Sequence, residues 1–434
     1  MHTRNRKSMG IKVLNLLAAG LLVAALVLGC NTNVSNGGEV QPPTPPVTDG
    51  YTVTMSAGVN GSITANPVIP AGGKVAKDAE ITFTATANPG YRVHTWTITG
   101  GTIQAGGQQG DTTAKVKVIA DTTVNVTFKP IVYTPVAYAD LPNHLTTAQP
   151  ETNGIYYIEV TGLTAPDVKG NILSDSESPL GKILKKNKKK KVALKFGTIS
   201  YGVTDMTKCF NGCTSLVQVS DIPNSVTDMR SCFNGCTSLV QVSDIPNSVT
   251  DMYSCFKGCT KLERVPNIPD SVTNMSFCFK GCTKLERVPN IPDSVTNMSY
   301  CFGGCTKLEQ VPNIPNSVTD MSSCFYGCTK LERVPNIPDS VTNMDSCFYG
   351  CTKLEQVPNI PDGVTDMFCC FNGCKSLTSV TLKCGYRDGK FNYAFSGCSS
   401  LSADSIKVPA DSLDDYKDNA DKIGAKAEWF AKDE

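Results

Sequence analysis

Between residues 206 and 401 the apolar positions of the chain fall into columns that repeat every 23 residues. Leu216 to Leu377, Met206 to Met367 and Phe210 to Phe371 each recur at this interval without a gap. A fixed period of this length marks a solenoid, in which each unit is one coil and like residues stack over one another. The pattern inside a unit predicts its elements. Leu262-Glu-Arg-Val265 sets charged residues between apolar ones and reads as the short strand of the coil. Pro266 and Pro269 end that strand, because proline has no N–H to give to a ladder, and Asp270-Ser271 completes the corner. Val272 and Met275 return to the core. Cys278-Phe279-Lys280-Gly281-Cys282 reads as a helical or 3-10 turn, with Gly281 supplying backbone freedom before the next strand. Strands joined in this way run parallel at about 4.8 Å. One coil buries too little apolar surface to offset the entropy of ordering its backbone, so the coils fold only as a stack.

Upstream the period changes from 23 to two. Tyr51 to Met55, Ile81 to Ala85, Val93 to Ile98, Lys115 to Val118 and Thr123 to Phe128 alternate apolar and polar residues between Gly, Pro and Asn turns, which predicts a small all-β domain over 51–130. His94 and Trp96 share one strand face and read as packing residues rather than a ligand site. Residues 131–200 carry a strand at Ile155 to Val160, a helix at Pro179 to Leu184 and a strand at Val192 to Phe196, suiting a connector and N-terminal cap. The array proper spans 201–402 and lengthens by one residue before Phe395, Cys398 and Leu401, where Ala394 takes a cysteine position. Residues 403–434, with Leu413, Tyr416, Ile423, Trp429 and Phe430 among charges, suit a helical C-terminal cap. Caps are needed because an open end exposes apolar columns and a strand edge.

The N-terminus has its own pattern. Arg4, Arg6, Lys7 and Lys12 precede an apolar run from Val13 to Leu28, which ends Gly29-Cys30. Residues 1–30 therefore read as a signal peptide resembling a lipoprotein lipobox, which implies cleavage before Cys30 and acylation of that cysteine, with an uncleaved anchor as the alternative. Residues 31–50 are rich in Asn, Gly, Thr and Pro and form an extended linker.

Composition narrows the chemistry. A formal net charge of +1 disfavours a nucleic-acid binder, and the basic run Lys185 to Lys191 reads first as a solvated loop. Of 20 cysteines, sixteen form two columns, Cys209 to Cys370 and Cys213 to Cys374. Export invites a disulfide reading, but stacked residues have parallel Cβ vectors that hold the Cβ atoms beyond bridging distance. Buried free thiols are favoured, with some disulfides left open. Cys369, Cys384 and Cys398 lie outside the double columns, Cys369 as a candidate exposed thiol. Zinc is disfavoured, since CxxxC lacks the usual ligand spacing and no histidine follows His144. Asp205, Asp228, Asp251 and Asp320 share a column with Asn274, Asn297 and Asn343, and read as turn-stabilising side chains rather than calcium ligands. No catalytic constellation, metal site or cofactor site breaks the repeat.

Val295-Thr-Asn-Met298-Ser-Tyr-Cys-Phe302-Gly-Gly-Cys305-Thr-Lys-Leu308 and its copies resemble the leucine-rich repeats of BspA-type (TpLRR) bacterial surface proteins. Two departures stand out: Cys replaces the family's usual Ala or Met before Phe, and Leu-x-x-Val-Pro-Asn-Ile-Pro replaces a more regular alternation, which bears on strand length. Gly58 to Gly61, Ala87-Asn-Pro-Gly-Tyr-Arg-Val93, Trp96 and Val124 to Phe128 resemble the divergent internalin-type B-repeats used as stalks. The fold class expected is mainly β with short helical turns, a leucine-rich-repeat solenoid preceded by a small all-β domain. The resemblance implies a protein on the bacterial surface; the lipobox adds a lipid anchor in the membrane, the outer one by preference, and the unbroken repeat argues for a non-enzymatic role. The resemblance also implies an adhesin whose partners are host matrix proteins, host cells or other bacteria, with a structural envelope spacer as the alternative. Two sets of exposed side chains are the candidate partner-binding residues: the aromatic rim of Tyr253, Phe277, Tyr300, Tyr326 and Tyr349, and the charged ladder that includes Glu263, Arg264, Glu286 and Arg287. Aromatic anchors commonly dominate interfaces, whereas a mixed-charge ladder also serves solubility.

Overall fold

The computed structural model describes residues 50–433 except 89, 200 and 201; Cys30 and the linker lie outside the described residues. The N-terminal module contains β1 (Tyr51–Ala57), β2 (Gly61–Asn66), β3 (Lys74–Val75), β4 (Glu80–Ala87), β5 (Tyr91–Gly106) and β6 (Thr113–Pro130). β5 and β6 form a long antiparallel hairpin; the first half of β6 also pairs antiparallel with β4, and its second half pairs parallel with β1. Val53, Ile81, Phe83, Val116, Val118 and Val124 form the core. The segments at 115–118 and 123–128, expected as two strands, are halves of one 18-residue strand. The reason lies across the ladder: at Gly100, with φ of +75°, a Cβ would collide with the Asp121 carbonyl oxygen, so only glycine lets β5 follow β6 through its polar middle. Trp96 is half-buried against the core and donates its indole N–H to the Asp111 carbonyl at 2.8 Å, a packing role. The module is tied to the segment after it by Arg92, which pairs with Glu151 at 2.7 Å and lies 5.2 Å from the Tyr157 ring centre.

The N-terminal cap is itself a set of coils. β7 (Thr134–Ala137), α1 (Leu141–Thr147), β8 (Ile155–Thr161), α2 (Ala165–Val168), α3 (Pro179–Lys186) and β9 (Lys191–Phe196) come in that order. β7, β8 and β9 continue as a parallel sheet into β10 (Leu216–Ser220) and β11 (Gln241–Val242) of the array. Ser178 starts α3 by accepting the Gly181 N–H at 3.0 Å, and its hydroxyl donates to the Cys209 carbonyl, which fastens cap to array. Lys185 and Lys186 occupy the last turn of α3, where the helix dipole favours cations, and Lys190 lies over the Tyr156 ring.

In the array the like residues stack as the period requires. Successive rings from Phe210 to Phe395 lie 5.3 to 5.8 Å apart and within 16° of parallel. Leu, Met, Val, Cys and Phe of each coil are buried in one continuous core that reaches both caps. The coils are stitched on the side of the Met-to-Cys turn. In the coil of Met252, the N–H groups of Met252, Ser254, Phe256 and Gly258 donate to Asn274, Ser276, Cys278 and Lys280 of the next coil at 2.7 to 3.1 Å, and this set recurs along the stack.

The strand expected at Leu262 to Val265 does not form in the central coils. Only β10 and β11 at the start and β12 (Val380–Thr381) at the end are strands, with isolated bridges at Arg333, Gln356 and Ser379 between. Ser243 shows why: its N–H donates to the Val219 carbonyl of the preceding coil at 2.9 Å. Pro266, Pro289, Pro312, Pro335 and Pro358 hold this position in the next five coils and cannot donate. At the far end a strand returns by pairing forward, where Val380 and Leu382 donate to the Ser405 and Lys407 carbonyls of the C-terminal cap. β12 continues in parallel into β13 (Ile406–Val408) and β14 (Phe430–Lys432). With α4 (Leu413–Asp418) and α5 (Ala420–Ile423) they close the end, around a buried Tyr416 whose hydroxyl donates to the Cys384 carbonyl at 3.0 Å.

Candidate functional site

Each turn is built by its Asp or Asn. The side-chain oxygen of Asp251 accepts the N–H of Tyr253 at 2.8 Å, and that of Asn297 accepts the N–H of Ser299 at 2.9 Å, with the same bond at Asp205, Asn274, Asp320, Asn343 and Asp366. These are turn-stabilising side chains, as the sequence suggests. The residue after each turn is left-handed: Ser231, Ser254, Phe277, Tyr300, Ser323, Ser346 and Cys369 all have φ of 52° to 57°. Met, Cys, Phe, Gly and the second Cys never change across the eight coils from Met206 to Cys374, yet three positions among them do. The first runs Arg230, Tyr253, Ser276, Ser299, Ser322, Asp345, Phe368; the second is the left-handed one; the third runs Asn234, Lys257, Lys280, Gly303, Tyr326, Tyr349, Asn372.

The five candidate aromatics therefore do not form one column. Tyr253 holds the first position, Phe277 and Tyr300 the second, Tyr326 and Tyr349 the third. Packing joins them in two groups: Tyr253 to Phe277 at 5.6 Å and Phe277 to Tyr300 stacked at 4.7 Å, then Tyr326 to Tyr349 stacked at 4.8 Å. Gly303 interrupts the third position between the groups. Tyr253 and Tyr326 are exposed, while Phe277, Tyr300 and Tyr349 are half-buried against their neighbours. Two lysines that the sequence does not single out complete the first group. Lys280 Nζ lies 4.2 Å from the Tyr300 ring centre and 5.3 Å from that of Phe277, and Lys257 Nζ lies 5.9 Å from Phe277. Burial, and then the charge of Lys257, pull the Lys280 ammonium below the usual lysine range. Phe368 and Tyr393, also exposed and in edge contact at 6.0 Å, are further members of the rim that sequence reasoning missed. Steps of 23 from Tyr253 reach Phe368, whereas those from Phe277 reach Asn392, one short of Tyr393, because the array lengthens by one residue there.

The charged ladder lies elsewhere on the coil. Glu263, Arg264, Glu286 and Arg287 are exposed on the Leu-x-x-Val segment and are not brought to the aromatics. Glu286 pairs with Lys307 of the next coil at 3.4 Å, and Glu309 with Lys330 at 3.5 Å, in the manner of weak exposed ion pairs that keep coils in register.

All nineteen described cysteines are free thiols. The second cysteine of each coil has a use for its proton: Cys236 donates S–H to the Phe210 carbonyl of the preceding coil at 3.0 Å, as Cys259 does to Phe233 and Cys305 to Phe279. Burial pushes the Cys305 thiol up to about 12, and raises the rest of both columns for the same reason wherever a shift is resolved. Such thiols are poor nucleophiles. Cys369, half-buried, is the one described thiol near solvent.

A second surface arises from the proline coils and has no counterpart among the residues the sequence points to. Asn267, Asn290, Asn313, Asn336 and Asn359, each following its coil's proline, line an open groove of about 1480 Å³ together with Ile268, Ile291, Ile314 and Ile337.

Comparison with known proteins agrees with this architecture. The family model of the BspA type leucine rich repeat region matches in six copies over residues 193–309 and 276–402, and that of the divergent InlB B-repeat domain matches residues 51–132. No curated protein matches. Among solved structures, a leucine-rich repeat protein from Bacteroides ovatus is 25% identical, with a TM-score of 0.33, over 48% of this chain and 66% of that one, a little under two thirds of its length. The T. pallidum leucine rich repeat protein (TpLRR) is 24% identical, with a TM-score of 0.30, over 56% and 87%. A leucine rich cell surface protein from Faecalibacterium prausnitzii is 20% identical, with a TM-score of 0.26, over 50% and 78%. Both matching families are typically interaction modules, and BspA-type repeats are usual in cell-surface proteins. The chain thus carries a BspA-type leucine-rich repeat region, preceded by a divergent InlB B-repeat domain.

Proposed function

We propose that this protein is a surface adhesin, lipid-anchored through Cys30, whose turn face binds proteins of a host matrix, a host cell or another bacterium. The observation that carries the reading is the placement of Phe277 and Tyr300. An L-residue in the left-handed region costs roughly 1–2 kcal/mol, and four other coils hold the same position with a serine. The left-handed turn is common to these coils and serves the fold; what sets two of them apart is a large ring where serine suffices elsewhere, and stacked rings that fill no core point to use. The neighbouring Tyr253, Lys257 and Lys280 make this a compact aromatic and cationic patch, the composition favoured at binding hot spots. Repeated coils add avidity when several contacts form at once.

Binding of the purified full chain to immobilised matrix proteins and to epithelial cells tests the reading. The double variant Phe277→Ser, Tyr300→Ser is expected to bind the retained partner at least tenfold more weakly. Equal binding by the variant rules the turn face out, and no binding by the parent chain to any such surface favours a structural spacer in the envelope. Loss of membrane association in Cys30→Ala checks the anchor separately.

A further inference from the structure

We propose that the groove lined by the Pro-Asn segments of five successive coils is a second binding site, for a neutral polysaccharide laid along the solenoid axis with one sugar against each coil. The groove begins where Pro-Asn replaces Ser-Asp. Ser220-Asp221 and Ser243-Asp244 hold these positions in the first two coils, and Pro266-Asn267 through Pro358-Asn359 hold them in the next five. The replacement changes the hydrogen-bonding state of the surface. The Val219 carbonyl takes the Ser243 N–H, but the equivalent carbonyls of Val242, Val265, Val288, Val311 and Val334 accept no hydrogen bond among the described residues. Nor do the side chains of Asn267, Asn290, Asn313, Asn336 and Asn359 make one. A row of amides and carbonyls, each able to donate or accept, is thus left open beside half-buried prolines.

A ligand that fills such a row must carry hydroxyls and repeat with the coil. The five units are identical in Pro, Asn and Ile, so the ligand meets the same contacts at every step of about 4.8 Å. An extended peptide advances about 3.3 Å per residue, well short of one coil, so it falls out of step within a few coils. A chain of pyranose sugars advances by about one coil per unit and carries hydroxyls on both edges, so that even where alternate units are turned over each still meets an amide with a hydroxyl and a half-buried proline with a C–H face. Charge selects among sugars. Asp270, Asp293 and Asp339 also line the groove, which repels uronic acids and sulfated chains and leaves neutral ones. The site is independent of the adhesin reading, because the turn-face residues contribute nothing to it.

The test uses the purified full chain. Cellulose, chitin, β-1,3-glucan, mannan and starch are offered as insoluble glycans, and oligosaccharides of the retained type, one to eight units long, are then titrated calorimetrically. Affinity is expected to climb with length and level off near the five coils that carry the asparagines. Asn290→Ala, Asn313→Ala, Asn336→Ala together should lower affinity at least tenfold with an unchanged melting temperature, whereas Phe277→Ser, Tyr300→Ser should bind as the parent does. Retention of none of the glycans, equal affinity for one unit and for six, or full binding by the triple variant would each overturn the proposal.

Discussion

The two sides of a coil are held by different means. On the turn side every coil from Met206 onward donates a set of backbone N–H groups into the next coil, over buried Met, Cys and Phe. On the Leu-x-x-Val side the array's ladder is continuous only ahead of the prolines, at β10 and β11, while β12 pairs forward into the C-terminal cap. Side-chain variation runs the other way. The turn side, rigid in its backbone, changes its three outward residues from coil to coil, while the looser side repeats Pro-Asn-Ile-Pro five times. A rigid frame with variable side chains suits recognition of one irregular surface, and an unvarying row suits a repeating ligand. Cohesion and the two surfaces are thus separated within 23 residues.

The largest effect is expected from the thiols that line the turn side. Their folded values are raised, from 9.0 to about 12 for Cys305 and Cys398. Below pH 9 the thiols are protonated both folded and unfolded, and the stabilisation they give is fully present. As pH rises from 9 toward 12 the unfolded chain loses protons that the folded chain keeps, so stability falls by about 1.4 kcal/mol per pH unit for each such thiol. With two columns of them the array should unfold cooperatively a short way above pH 9, read by circular dichroism. A chain still folded at pH 11 would show that the thiols are not the protonated hydrogen-bond donors described.

Next in size is a contrast between two phenylalanines of one coil. Phe279 is fully buried between Phe256 and Phe302, and Phe279→Ala should cost about 3–5 kcal/mol. Phe277, two residues away, packs on Tyr300 and Tyr253 at the surface, and Phe277→Ser should cost about 1–3 kcal/mol, the worth of two ring pairs. Denaturant midpoints of the two variants measure this, and similar losses would mean that the outer rings serve the fold and not a partner.

Legibility in the sequence depends on whether a feature repeats. Leu, Met and Phe recur so strictly that register, core and parallel stacking can be read from spacing alone, and the Phe ladder bears them out. Strand length cannot, because Pro266 acts on a neighbour: it ends its own strand, as expected, but it also withdraws the donor that Val242 of the preceding coil needs. The aromatic rim is legible as composition but not as geometry, since Tyr253, Phe277 and Tyr326 sit at three different positions of the unit. Lys257 and Lys280 escape notice because lysine reads as a solvated charge until its place beside the rings is known. The groove is a property of stacked coils and has no signature in any single one. Continuity of β6 likewise rests on Gly100, in a different strand.

The smallest effect isolates the proline. Ser243→Pro gives the second coil of the array the residue that the next five already have. It removes the N–H that reaches the Val219 carbonyl at 2.9 Å, a bond worth about 0.5–1.5 kcal/mol. Proline also restricts the unfolded chain, which returns about 0.4–1 kcal/mol, so net stability should shift by less than about 1 kcal/mol. Amide exchange resolves what the sum conceals. Val240, which donates to Val217 across the same ladder, should exchange faster, while Met229 and Phe233, bonded to Asp251 and Cys255 on the turn side, should stay protected. Joint loss of protection on both sides would mean that the strand ladder holds the coils after all, and that the central coils are held by something other than their turns. Local loss alone would mean that proline opens one side of a coil without loosening the other, which is the condition for a solenoid to carry an open groove and keep its register.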